Sequence, residues 1–394
     1  METSRTPRLT AVRREEERVT PLELFFDLVF VLALTQCTAL IASNPTWEGL
    51  VQALLALAML WWSWGGYAWL TSVIDPEEGA VRIGIFAAMA AFLVAALSLP
   101  DAFGDDAVVF ASAYGIVRIA HIWLFTIASR DEPELRKSVI GLASSSAIGV
   151  GFLFLAATTD GWWQIAVWGI GMVLDIGLPT LFWSSGWQLL ASHFAERYAL
   201  ILIIALGESI VAIGVGSKAV VDGGVILAAT LGIAVAAALW WLYFDVTVGV
   251  AERRLAEATP GREQNELARD AYSILHLPMI AGIVLLAFGL KKTLEDVDDP
   301  LKTIPAVALL GGVALYLFAL VAFRWRMVQT TSWTRLTGAA AVLALFPLAR
   351  EVPAVVSLAL VFAVPLVVIL YEVIRFAETR DHVRHHVARG HASE

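Results

Sequence analysis

Twelve separable apolar stretches, each close to the length of a bilayer crossing, occupy most of the chain's 394 residues. A spanning helix needs roughly 20 mostly apolar residues, because at about 1.5 Å per residue that length covers a hydrocarbon core of about 30 Å. The stretches run over residues 22–42, 47–70, 81–99, 106–128, 138–157, 162–182, 194–214, 225–248, 271–290, 304–323, 335–349 and 353–374. Eleven are comfortable in length. The segment 335–349 is short and closed by Pro347, which fits a tilted or re-entrant segment, or one extended back through Ser332. A soluble helical protein would show polar faces recurring at helical spacing, and these segments are apolar all round. The expected fold class is therefore all-α: a polytopic integral membrane protein of about 12 transmembrane helices.

Composition agrees, with 59% hydrophobic and 16% charged residues, too little polar surface for a soluble domain of this length. The net charge of −9 says little, because the informative quantity is where the basic residues sit. With the N-terminus inside, all but six of the 27 Lys and Arg fall in inner segments, Arg5, Arg8, Arg13, Arg14 and Arg18 among them. The outer loops hold Lys218, Lys291, Lys292, Lys302 and Arg350, and Arg118 lies within a span. Residues 1–21 and 375–394 are thus expected to be cytoplasmic segments of a bacterial inner-membrane protein. The first apolar stretch follows a charged leader and lacks a small-residue cleavage site, so it reads as a retained span. The lone Cys37 excludes an internal disulfide and a cysteine-built metal cluster. The inner loop from Val250 to Asp270 alternates acids and bases and reads as a solvated amphipathic helix.

The marks along the chain recur in order, which points to a 6+6 internal repeat over 22–182 and 194–374. Span 1 opens with Glu23 and span 7 with Glu196. The next span of each half carries paired tryptophans, Trp61-Trp62 against Trp240-Trp241, and each half continues into a helix with a Met, Met89 or Met279. An even number of spans preserves orientation, so the halves would be related by an axis along the membrane normal, with functional groups at their seam.

The run Thr20-Pro21-Leu22-Glu23-Leu24-Phe25-Phe26-Asp27-Leu28-Val29-Phe30-Val31 resembles the opening motif of the bacterial low temperature requirement A (LtrA) family. His193-Phe194-Ala195-Glu196-Arg197, followed by Ala205-Leu206-Gly207-Glu208-Ser209, is similar to that family's second signature, and Tyr272-Ser273-Ile274-Leu275-His276-Leu277-Pro278 to a third. The resemblance implies a multi-pass bacterial membrane protein associated with growth at low temperature, and assigns no reaction. The halves differ at one telling place: Leu200 stands where the register asks for a counterpart of Asp27.

Charges inside a bilayer are costly, so they face partners or water and mark candidate sites. Glu23 and Asp27 lie one helical turn apart, with Thr38 near the same stripe, a set suited to binding a cation or passing a proton. The structural alternative places both acids near the headgroups, at the positive end of their helix and paired with nearby arginines. His193, Arg197 and Glu208 share a stripe on span 7, and Glu208, about 21 Å along its helix from the start of the span, is the leading single candidate. Glu196 of the second signature joins them. Tyr114, Arg118 and His121 form a stripe on span 4, and Arg118 needs a carboxylate, with Glu208 or Asp175 the expected partner. Asp245 lies close to the inner interface, where hydration accounts for it. His276 follows Tyr272 by one turn and precedes Pro278, which removes a backbone donor; the histidine is either a proton shuttle or a hydrogen-bonded packing residue. The spacing of His382, His385 and His386 suits a metal, but nothing acidic or cysteinyl supports one.

No P-loop, dinucleotide fingerprint, zinc-protease helix or nucleophile elbow is present, so no catalytic residue, cofactor or metal is expected, nor ATP-driven transport by this chain alone. The basic residues follow membrane topology and not a single stripe, which removes nucleic acid as a partner. The expected partners are the lipid bilayer and an unassigned small solute or ion, with a homodimer left open. A secondary transporter, proton-coupled through Glu208, Arg118, Asp27 and His276, leads. The alternatives are an ion channel, since Phe25-Phe26-Asp27 resembles over a few residues the Phe-Ser-Asp motif of endolysosomal potassium channels, and a membrane enzyme or lipid-handling protein.

Overall fold

A computed structural model describes residues 18–77, 79–182, 187, 189–216 and 222–377. The basic leader up to Arg14, Lys218 and the tail histidines lie outside the described residues. Among these residues the chain is helical throughout, with no strand beyond an isolated bridge between Pro300 and Pro353. In order the helices are α1 Pro21–Ser43, α2 Trp47–Thr71, α3 Gly79–Ser98, α4 Ala107–Ala128, α5 Pro133–Ala156, α6 Gly161–Phe182, α7 Ala191–Gly216 and α8 Gly223–Phe244. They continue as α9 Thr247–Glu257, α10 Arg262–Leu267, α11 His276–Glu295, α12 Thr303–Val328, α13 Trp333–Ala344, α14 Phe346–Ala349 and α15 Ala354–Arg375. Eleven helical segments are long and apolar enough to cross a membrane. Large apolar side chains such as Ile119, Trp163 and Ile374 point outward while Arg118, Asp27 and Asp175 are buried, the reverse of a water-soluble surface. The chain is an all-α, multi-pass membrane protein.

It divides into two compact units. The first holds residues up to Leu40, Glu48–Arg197 and Thr259–Asn265. Its helices α3 and α4, α4 and α5, and α5 and α6 pack as sequential neighbours. Phe30 of α1 meets Trp61, Trp64 and Phe92, and Trp61 stacks on Trp64 with ring centres 4.8 Å apart. The first tryptophan pair is therefore core, whereas Trp240 and Trp241 of α8 are exposed.

The second unit holds Ile41–Trp47, Tyr198–Ala258 and the residues from Glu266 onward. Its axis is the α11–α12 pair, drawn together where neither helix carries a side chain: a Cβ on Gly282 would stand 2.6 Å from the Gly312 carbonyl oxygen, and one on Gly312 2.6 Å from that of Gly282. The loop read as one amphipathic helix is two. α9 buries Thr247, Ala251 and Leu255 at a spacing of four, and the residues that follow, of which the first unit holds Thr259–Asn265, turn through Gly261 at a φ of 98° before α10. A seven-residue π-helical turn, Ala268–Ile274, leads into α11.

The short eleventh segment begins at Trp333, so it does extend back to Ser332, and it breaks at Leu345 ahead of Pro347. Its start is fixed beside the C-terminal end of α15 by Arg335 and Glu372. After α14, the backbone of Ala354 and Val355 bonds to Asp299 and Val297, just ahead of α12. Since α12 ends only five residues before Trp333, α13 and α14 carry the chain from one end of α12 back to the other.

Candidate functional site

The sequence Thr20-Pro21-Leu22-Glu23 starts α1 as a capping box with proline at the first helical position. Glu23 Oε2 accepts from the Thr20 backbone N–H at 2.9 Å and from its hydroxyl at 3.2 Å, and the Glu23 N–H returns to Thr20 Oγ1 at 3.4 Å. With Oε2 held at the cap, Oε1 points to α7: it lies 3.0 Å from His193 Nε2 and 3.4 Å from an Arg197 terminal nitrogen. The other terminal nitrogen of Arg197 donates to Asp27 Oδ1 at 2.9 Å, and the Trp64 indole N–H donates to the same oxygen at 2.8 Å. The guanidinium carbon stands 5.9 Å from the centre of a Trp64 ring, within cation–π range. On the far side of His193, Nδ1 is 3.1 Å from the Ser72 hydroxyl, which donates to the Ala68 carbonyl at 2.8 Å.

Glu23, Asp27, His193 and Arg197 are each at most 2% exposed. The four-residue spacings Glu23/Asp27 and His193/Arg197 each put two side chains on one helix face, and the two faces meet. Among the described residues, Asp27 Oδ2, Arg197 Nε and the Arg197 terminal nitrogen that faces Glu23 make no hydrogen bond, so the network retains one acceptor and two donor nitrogens to spare. Glu196 points away from it, is exposed, and accepts from the Val19 N–H at 3.0 Å.

A second buried network in the same unit answers the question posed by Arg118. Its partner is Asp175, at 3.0 Å. Arg118 Nε donates to Ser146 Oγ at 3.0 Å, Ser146 Oγ donates to Asp175 Oδ1 at 3.3 Å, and the Tyr114 hydroxyl donates to Asp175 Oδ2 at 2.8 Å. A Cβ on Gly149 would stand 2.8 Å from that of Asp175, so the glycine lets α5 close over the acid. One cation faces one anion with both carboxylate oxygens satisfied. His121 belongs elsewhere: its ring lies over Gly66, 5.1 Å from Tyr67 and 4.8 Å from Phe125, and neither ring nitrogen completes a hydrogen bond of good geometry.

In the second unit His276 Nδ1 is 3.1 Å from the Ala271 carbonyl, which can only accept, so Nδ1 carries a proton. Nε2 meets the Tyr243 hydroxyl at 2.8 Å, and Tyr272 stacks on the ring at 5.3 Å. Glu208 is buried farther along α7. Thus within the first unit Asp27 and Arg118 belong to different clusters, His276 belongs to one in the second unit, and among the described residues the Glu23–His193 and Asp27–Arg197 pairings bring together four ionisable groups. Trp64, Ser72, Ser146 and Tyr243 join these clusters without a sequence signal that singles them out; the capping box around Glu23 is a signal open to sequence reading.

A match to the bacterial low temperature requirement A (LtrA) protein family covers residues 18–370. The chain belongs to that family. It is also 26% identical over 370 residues to the uncharacterized protein RA0937 of Rhizobium meliloti (strain 1021), covering 91% of this chain and 90% of the relative. The LtrA match takes in every residue of the Glu23 network, the Arg118 network and the His276 cluster.

Proposed function

We propose that this LtrA protein is a secondary transporter of the bacterial inner membrane, with both termini cytoplasmic, coupled to protons at the Glu23–Asp27–His193–Arg197 network. The observation that carries the reading is the count of charge in that network. In the contacts described above two carboxylates face one guanidinium, which stays protonated, so this set balances only when it holds one further proton. Net charge in a low-dielectric interior is costly, and hence the balanced and unbalanced forms favour different packing. The hydrogen-bond geometry supports His193 as the proton's place: with the Ser72 hydroxyl proton on the Ala68 carbonyl, Nδ1–H donates to Ser72 and Nε2–H to Glu23, the pattern of an imidazolium. When it loses a proton, Ser72 turns its hydroxyl to Nδ1, and the cluster carries one negative charge. The Arg118–Asp175 pair has no such deficit and serves as a fixed strut.

Purified protein in liposomes with an imposed pH gradient, screened against a broad set of solutes, is expected to show saturable flux that moves protons and fails in Glu23→Gln. No movement of any solute, with or without the gradient, overturns the reading, and unitary currents in a planar bilayer replace it with a channel. Reporter fusions at the two ends check the orientation.

A further inference from the structure

A cavity of about 370 Å³ opens in the second unit where α12 and α15 end and α13 begins. Arg335 forms one wall, and its donors are spoken for: Nε and a terminal nitrogen hold the two Glu372 oxygens at 3.0 and 2.9 Å, and the other terminal nitrogen donates to Thr247 Oγ1 at 3.1 Å. Arg324 lines the same cavity, half-buried, within electrostatic reach of Glu372 and Arg335, and makes no hydrogen bond or close ion pair among the described residues. Ser332 precedes α13 but does not cap it, since its hydroxyl is shared with Thr334 and Glu372. Arg335 takes up both Glu372 oxygens, so a guanidinium without a direct hydrogen-bond partner and the first turn of a twelve-residue helix without a side-chain cap converge on one space, which favours an anionic group there. The mouth is apolar and faces outward: Trp333, Tyr371 and Phe376 are exposed at it, and Val367, Leu370 and Ile374 continue an exposed apolar track along α15. Asp245 also lines the cavity, which disfavours a bare phosphate dianion and favours a phosphodiester joined to a cationic or hydroxylated group.

We infer that this cavity is a phospholipid headgroup site, with Arg324 as the phosphate ligand and the α15 track taking an acyl chain. The inference is independent of the transport reading. It is tested on the delipidated full-length protein in detergent by native mass spectrometry, titrating phosphatidylethanolamine, a diacylglycerol of the same chains, or inorganic phosphate. Wild type and Lys137→Gln, a change at an exposed residue of the other unit, are expected to retain the phospholipid in preference to diacylglycerol. Arg324→Gln is expected to weaken it at least about tenfold, the order of one lost charge-assisted contact. Equal retention by Arg324→Gln and wild type overturns the assignment. Inorganic phosphate displacing the lipid at equal concentration overturns the lipid as the source of the anion. Should Arg324→Gln fail to fold, equal binding of diacylglycerol and phospholipid by wild type is sufficient refutation.

Discussion

Glu23→Gln separates the two tasks of one side chain. The amide oxygen still accepts from the Thr20 N–H, as in a glutamine capping box, so the α1 cap is kept. What is lost is the charge opposite His193 at 3.0 Å and Arg197 at 3.4 Å. A charge-assisted hydrogen bond contributes about 1.5–3 kcal/mol. If His193 remained an imidazolium, the cluster would carry net positive charge, at a cost of several kcal/mol. It therefore sheds the proton, and the new amide NH₂ donates to the freed Nε2. The net destabilisation expected is about 1–3 kcal/mol, with Glu23→Ala about 1 kcal/mol worse because the cap goes too. Denaturation in detergent micelles measures both differences. Nitrogen NMR of histidine-labelled protein reads the proton directly: two protonated nitrogens on His193 in wild type, one in Glu23→Gln. A neutral His193 in wild type, or an imidazolium that survives Glu23→Gln, refutes the charge count and with it the proposed coupling site.

Removing either partner of the Arg118–Asp175 pair is expected to cost about 3–5 kcal/mol, while Arg118→Met with Asp175→Asn costs well below the sum of the singles; additive losses in a denaturation cycle would show that the pair is not coupled. Gly282→Ala or Gly312→Ala should force α11 and α12 apart at about 1–3 kcal/mol or more, whereas at neighbouring Gly311 the nearest atom to a new Cβ is 3.9 Å away and alanine should be close to neutral; equal melting temperatures for all three would contradict the close approach. Tyr243→Phe removes the hydroxyl bonded to His276 Nε2 and should lower stability by about 1–2 kcal/mol, an effect that His276→Ala should abolish if the two residues act as a pair.

The spans were legible because a bilayer imposes length and apolarity on every crossing, and the ends of α1, α2 and α6 fall within a few residues of their apolar stretches. Residue spacing along one helix also carried over: Glu23 with Asp27 and His193 with Arg197 do share faces. Which face meets which could not be read, since that depends on contacts between positions far apart in sequence, such as Glu23 with His193. Arg118 was correctly short of a carboxylate, but only packing chooses Asp175. His121 has the spacing of a network member and is excluded by the approach of α2 through Gly66. Arg335 and Glu372 escaped notice because each stands at the end of its apolar stretch, where a charge reads as interfacial.

The break at Leu345 leaves α13 and α14 with twelve and four residues, about 18 and 6 Å of rise, where neighbouring helices of more than 20 residues cover the full hydrocarbon core. Leu343 and Leu348 face outward along this short pass. If this pass faces the hydrocarbon, lipid beside it has to thin or tilt to keep those side chains covered, at fractions of a kcal/mol per Å. Acyl chain length is then expected to act on this molecule unevenly, with thicker bilayers straining the α12–α15 end of the chain first.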